Sequence, residues 1–375
     1  MISIWEREAF YNDADFVIAG AGLCGLWCAW ELRQAYPNAK ITLLEKEHIS
    51  CGASTRNAGF ACFGSPTEML NNIGSMGEDQ MWQVVEMRYR GIQKIRQVFG
   101  DAEIDYDHCG GYECFIEVIQ PEHKMREVVK LLNKGMKGIT GSAESFSWSN
   151  KKLERFGFRG MDSMVENRLE GSLHSGKLVK ALLRAVVASG VQVLFSTGLK
   201  GWTSTGDWVH LDIEHCELRC RQLLICTNAL TGDLATNTNI IPARGQVLVT
   251  APVPGLALKG TFHFDDGYYY FRNLGNRILL GGARNKSFEE EYTLTEGISS
   301  VIQDELERFL NSHLPRREPY SITDRWSGTM AFTDDKKPFV RSLTQNVHAL
   351  VACNGMGVAL TPIIAEQAVQ LFKVN

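Results

Sequence analysis

The chain has 375 residues, enough to bury a sizeable core and to build two or three domain-sized units. Its 44% apolar and 22% charged residues match soluble globular proteins, which excludes a disordered or fibrous chain. A net charge of -4 leaves no electrostatic footprint for nucleic acid or an anionic membrane.

In chain order, the acidic stretch 1–15 carries no long apolar segment and does not read as a secretory signal, so a cytoplasmic location is expected. No later apolar run reaches membrane-spanning length. Residues 16–19 read as an apolar strand, 20–25 as a glycine turn, the run to about Leu32 as a helix, and 41–44 as a second strand. This strand, turn, helix and strand predict the opening of a doubly wound parallel sheet.

Between 80 and 160 come a helix, a strand-like run at 104–117 and a helical stretch at 122–137. Arg88, Arg90, Lys94 and Arg96 fall among Trp82, Val85, Ile92, Ile95 and Phe99 at helical spacing and are expected on a solvated face. A helix at 176–189, a strand at 191–195 and a continuation at 221–227 return to α/β character. Residues 241–282 are strand-rich, at 245–250, 267–271 and 277–280, which suits an antiparallel sheet. The chain closes with a strand at 349–353, a glycine turn and a helix at 362–373.

The expected fold class is α/β, α+β overall: a Rossmann-like FAD/NAD(P)-binding domain with a doubly wound parallel sheet, interleaved with an antiparallel-sheet substrate domain. The first takes 1–80, 161–235 and 325–375, the second 81–160 and 236–324. The ten cysteines (24, 28, 51, 62, 109, 114, 216, 220, 226 and 353) form no CxxC pair and are expected as free thiols. The nine histidines show no HExxH or HxH spacing, so no metal is expected.

The turn carries the first chemistry. Gly20 makes the tight bend, Gly22 lets backbone approach a pyrophosphate, Gly25 permits close helix packing, and the amides of Leu23 and Cys24 open the helix toward the phosphates. Glu45, followed by Lys46, ends the next strand and suits ribose hydroxyls while repelling a 2′-phosphate. The fingerprint alone permits FAD or NAD, and an NAD-linked dehydrogenase fits it.

Gly52-Ala53-Ser54-Thr55-Arg56-Asn57-Ala58-Gly59-Phe60 resembles the flavin-contacting loop of the D-amino-acid oxidase family of FAD-dependent oxidoreductases, which includes glycine, sarcosine and gamma-glutamylputrescine oxidases. The resemblance implies FAD held by the small residues Ala53, Ala58 and Gly59, by Ser54 and Asn57, and by Arg56 as added charge. Residues 170–179, Leu199 at the adenine, Thr227 in 225–229, 244–246, and Asn354-Gly355-Met356-Gly357-Val358 at the flavin's pyrimidine end keep the family order. The implied reaction is hydride transfer from a carbon beside an amine nitrogen to flavin, with oxygen or another acceptor reoxidising it.

The pattern breaks at informative places. Met330 stands where glycine oxidase carries a carboxylate-binding arginine, and Ala359 where sarcosine oxidase carries a lysine. Leu279 replaces the lysine that activates oxygen, and neither a cysteine in 330–335 nor a histidine at Arg56 offers a covalent flavin link, so non-covalent FAD is expected. The stretch from Trp326 through Thr329 looks like the gamma-glutamylputrescine oxidase branch, which leans the substrate toward an amine or a modified amino acid. Tyr269 matches glycine oxidase's substrate-facing tyrosine, and Phe60 is expected to wall the flavin edge. Tyr268, Tyr270 and Phe271 are shared between pocket and core, and His263 is a candidate proton acceptor with a structural role as its alternative. A flavin-binding scaffold without turnover stays open, since fold does not fix function.

Overall fold

The computed structural model describes residues 2–117, 119, 121–214, 216–236, 238–315, 319–351 and 354–372. Cys353 and Lys373, expected at the ends of a strand and a helix, lie outside them.

Alternation of apolar side chains explains how the first sheet is covered. The strand Ala14–Ala19 runs parallel to Ile41–Leu44 on one side and to Glu217–Ile225 on the other. Val347–Val351 and Gln192–Leu194 extend the parallel set, and Phe339–Ser342 closes one edge antiparallel. Phe16 and Ile18 point into a core shared with the helices Leu23–Ala35, Ser175–Ala188 and Gly357–Gln370, whereas Val17 points into a second core beneath the hairpin Leu199–Thr205 and Trp208–Ile213. Helices thus cover one face and a hairpin the other.

The second sheet runs in the order Ile322–Phe332, Ile241–Thr250, Arg277–Gly282, Tyr269–Leu274, Thr261–Phe264, Gly111–Phe115, Ser163–Asn167 and Phe146–Trp148. Its pairs are antiparallel except Thr261–Phe264 with Gly111–Phe115. One face, carrying Phe262, Phe271, Leu248 and Leu280, packs with Leu306 and Phe309 of the helix Ser300–His313. The other face looks toward the loop at 52–59.

Three expectations change here. Ser163–Asn167 and Ile322–Phe332 are strands of the antiparallel sheet, so the chain crosses back after 167 and after 332 instead of at 161 and 325. Arg88 is buried at 3% exposure, because position 88 falls on the same stripe as Met81, Val84, Val85 and Ile92, and it pairs with Glu68 at 2.7 Å. The last helix begins at Gly357 and carries Pro362 inside. A proline there removes only the donor for the carbonyl four residues back, and close packing supports the helix. A Cβ on Gly91 would stand 1.8 Å from the Ala359 carbonyl oxygen, so Gly91 lets the helix Glu78–Phe99 lie directly on it. No helix among the described residues is long and apolar enough to cross a membrane.

Candidate active site

The glycine turn is built to bring backbone close together. Gly20 has φ +102, and a Cβ there would stand 2.7 Å from the Cys226 carbonyl oxygen, with Thr227 next in the chain. A Cβ on Gly25 would lie 1.9 Å from the Gly20 oxygen. The 13-residue helix Leu23–Ala35 has Gly22 at its cap and no capping side chain of its own, and the Leu23 amide donates to Ser54 Oγ at 2.9 Å. Its remaining first-turn amides are those a helix offers to an anion. Beneath the turn the sulfurs of Cys24, Cys28 and Cys226 lie within 4.8 Å of one another, and contact with the other two thiols together with burial raises the Cys226 thiol. The nine described cysteines are free thiols.

Glu45 is buried and accepts from the Ala21 amide at 2.9 Å and the Glu47 amide at 3.1 Å. Burial raises its carboxyl above the ordinary range, and those two amides oppose the rise. Each carboxylate oxygen has a lone pair left for a ribose hydroxyl. The Thr197 amide donates to the Glu45 carbonyl at 2.8 Å, which places Leu199, at the head of its strand, beside the same end of the sheet. Lys46 is exposed and reaches Glu47 at 3.4 Å.

The loop after Gly52 is tied from three directions. Asn57 organises it from within: Nδ2 donates to the carbonyls of Ala53 at 3.0 Å and Ser54 at 2.8 Å, while Oδ1 accepts from the Gly59 amide at 2.8 Å and from Ser175 Oγ at 2.5 Å. Arg272 bolts it to the sheet, donating to the carbonyls of Gly59 at 2.9 Å, Leu173 at 3.0 Å and Ala58 at 3.4 Å. Trp326 Nε1 donates to the Arg56 carbonyl at 2.9 Å, and the Arg56 side chain pairs with Glu296.

Strand register defines the cleft. Paired residues share a face, so Trp326, Gly328, Met330 and Phe332 line up with Gly245 and Val247, then Gly281, then Tyr270 and Arg272, then His263. Glycines let the neighbours in: a Cβ on Gly328 would stand 3.0 Å from Arg56 Cβ, on Gly245 2.8 Å from Met330 Cε, and on Gly281 2.4 Å from the Tyr270 ring. Phe60 meets His263 at 5.2 Å and Tyr270 at 6.1 Å between centroids, both edge-on. Met330 Sδ lies 3.8 Å from the Cβ position of Gly355, Asn354 Oδ1 accepts from the Thr333 amide, and Met356 touches Cys62, so the last glycine turn adjoins this cleft. Gly357 and Val358 then start the final helix.

Two expected substrate contacts are not brought there. Tyr269 lies on the opposite face, stacked on Phe309 at 4.5 Å and donating to Glu305 at 2.6 Å, because successive strand residues alternate sides and Tyr270 takes the cleft position. Thr329 alternates away likewise, and its carbonyl accepts from Asn228 Nδ2 at 2.7 Å. Phe60 stands in the cleft beside His263 and Tyr270, and Trp326 ties the loop through the Arg56 carbonyl.

Buried acids lie behind the cleft, and no motif spacing in the sequence marks them. Glu170 accepts from the Phe63 and Gly64 amides, and burial pushes its carboxyl up to about 8. Glu113 accepts from Ser65, the Thr67 amide and the Thr67 hydroxyl, and burial pushes it up to about 7. Glu68 is half-buried, and against the effect of burial the Arg88 guanidinium holds it below the usual range. His263, 8% exposed, has its pKa lowered by burial, and its Nε2 has no hydrogen-bond partner among the described residues. Glutamates in runs such as Tyr112-Glu113-Cys114 carry the one available signal, a charge inside an otherwise apolar strand.

A family model described as FAD dependent oxidoreductase (DAO) matches residues 15–371. The chain belongs to that family. Among curated relatives, the probable oxidoreductase OrdL of Rhizobium meliloti (strain 1021) is 25% identical over 371 residues, covering 96% of this chain and 84% of its own. L-proline dehydrogenase from P. horikoshii superposes with a TM-score of 0.77 at 14% identity over 96% and 94% of the two chains. Glycine oxidase from Bacillus cereus ATCC 14579 gives 0.76 at 15% over 96% and 95%, and L-amino acid deaminase from Proteus vulgaris 0.76 at 16% over 97% and 94%. As a member of the FAD dependent oxidoreductases the chain is an enzyme with FAD as its cofactor, and FAD replaces NAD as the reading of the fingerprint. The residues present fit FAD: uncapped amides at Leu23–Ala35, a cradle at Gly22 that a Cβ would fill to 2.9 Å from Ser54 Oγ, and an acceptor at Glu45.

Proposed function

We propose that the protein oxidises the carbon–nitrogen bond of an amine or amino acid, giving an imine that hydrolyses to a carbonyl compound. FAD, held without a covalent link, supplies the hydride acceptor. Gly22, Leu23 and Ser54 would hold its pyrophosphate, Glu45 its ribose, and the loop 53–59 with the turn 354–357 its ring. The names of the solved structures with this fold, glycine oxidase and L-amino acid deaminase among them, support the reaction class. The chain's own part is placement: Phe60, Tyr270 and Met330 form an apolar wall that excludes water and orients the carbon to be oxidised.

The observation that carries the substrate reading is Met330 in the cleft. A thioether cannot pair with a carboxylate. Ala359 is 2% exposed, and its carbonyl packs under Gly91, so position 359 offers no substitute anchor. An α-carboxylate would be buried unpaired, which is costly. Leu279 carries no charge at the lysine position, and its cross-strand neighbour Arg272 is committed to the Gly59 and Leu173 carbonyls, so an acceptor other than oxygen is favoured.

Anaerobic flavin bleaching tests this. A carboxylate-free primary amine should reduce the flavin faster than D-alanine, glycine or sarcosine, and acid precipitation should leave the yellow colour in solution. D-Alanine faster by about tenfold, roughly 1.4 kcal/mol of transition-state preference, would overturn the assignment.

A further inference from the structure

Arg272 and Arg284 both approach the cleft face of the antiparallel sheet, and of these two only Arg272 has hydrogen-bond partners among the described residues. Arg272 is committed to the carbonyls of Gly59, Leu173 and Asn273. Arg284 is not. Gly282 at φ +119 and Ala283 at φ +58 bend the chain sharply after Arg277–Gly282, and the Ala283 amide donates to the Tyr268 carbonyl at 2.7 Å, which fixes the bend. The Arg284 guanidinium then lies 4.4 Å from the Phe332 ring, 5.6 Å from Phe288 and 6.0 Å from Tyr292.

Among the described residues this guanidinium makes no hydrogen bond and no ion pair. Glu291, the acid in its neighbourhood, is already taken by Arg244 at 2.6 and 3.1 Å and by Gln246 at 2.8 Å. Ring faces attract the cation but leave the N–H donors of this half-buried side chain without a protein acceptor among the described residues. Burial lowers the Arg284 pKa, the mark of a cation partly removed from water without a counter-ion.

We propose that Arg284 receives an anionic group of the substrate at a distance from the carbon that is oxidised, so the site takes amines bearing a remote carboxylate. The assignment deepens the amine-oxidation reading and rests on it. Phe332 and Met330 share one face of a strand two residues apart, a displacement of about 7 Å. A carboxylate held over Phe332 therefore sits several bonds beyond one held at Met330. The planar fork of arginine suits a carboxylate in two-point contact.

Flavin absorbance perturbation in the holoenzyme tests it, by titration with n-butylamine and with 4-aminobutyrate, 5-aminopentanoate and 6-aminohexanoate. The wild type should bind at least one of the three acids about tenfold more tightly than n-butylamine. Arg284→Met should reduce that preference to less than about twofold, and Arg284→Lys should restore part of it. No preference in the wild type, or a preference that survives Arg284→Met, overturns the proposal. If the preference follows Arg284 while no amine bleaches the flavin, the anion site stands and the amine-oxidation reading fails.

Discussion

Replacing Arg272 by methionine keeps the length of the side chain and removes every donor. Its Nη1 serves Gly59 and Leu173 at 2.9 and 3.0 Å, and its Nε serves Asn273 at 3.0 Å. Hydrogen bonds from a charged group contribute about 1.5–3 kcal/mol each, and the Leu173 carbonyl would lose its donor, while the Gly59 carbonyl would keep the Leu173 amide at 2.8 Å. Releasing the guanidinium from its own burial offsets part of that loss. The expected net destabilisation is about 3–4 kcal/mol, and the loosened loop should weaken FAD binding by about an order of magnitude. Urea unfolding with and without FAD measures the first quantity and flavin fluorescence quenching the second. Arg272→Lys, with one ammonium for a fork, should fall between the two proteins. A methionine variant within about 1 kcal/mol of wild type and with unaltered FAD affinity would refute the bolt.

Glu45→Arg loses the acceptor for the Ala21 and Glu47 amides as well as for a ribose, so FAD affinity should fall by about tenfold or more; wild-type affinity in a folded variant would place the ribose elsewhere. Glu170, with its native pKa raised to about 8 against an ordinary 4.5, contributes stability that is intact below pH 4.5 and lost as pH rises through 8. Glu170→Gln keeps an acceptor for the Phe63 and Gly64 amides without that loss, so its stability relative to wild type should rise between pH 5 and pH 8 by on the order of 4 kcal/mol. A difference independent of pH, measured by urea unfolding at both ends of the range, would show that Glu170 is ionised in the native protein.

Local signals were legible where one short segment decides the geometry. The spacing of Gly20, Gly22 and Gly25 with Glu45 identified a turn whose close contacts tolerate no side chain. The Tyr268–Phe271 run was not legible in the same way. Every residue in it is aromatic, and only the register against His263 and Gly281 says that Tyr270, one place on, faces the cleft. Gly245, Gly281 and Gly328 did carry a signal, since glycine inside a strand marks a close approach, but which glycines meet depends on pairing between distant segments. Arg272 gives no local sign at all. Its partners Gly59 and Leu173 are brought together by the fold, and an arginine in a strand looks the same whether it meets water or three carbonyls.

The order of strands in the parallel sheet has a consequence for synthesis. Ala14–Ala19 is made about two hundred residues ahead of one neighbour, Glu217–Ile225, and the next parallel strand, Val347–Val351, follows roughly a hundred and twenty residues after that. The edge of Ala14–Ala19 therefore waits while three strands of the other sheet are made, and the edge of Glu217–Ile225 waits while the remaining five are. Pairings this distant in sequence close slowly and expose sticky edges meanwhile. Nascent chains stalled before residue 347 are the species that chaperones would meet, and fragments cut at either crossing should aggregate instead of folding as separate domains.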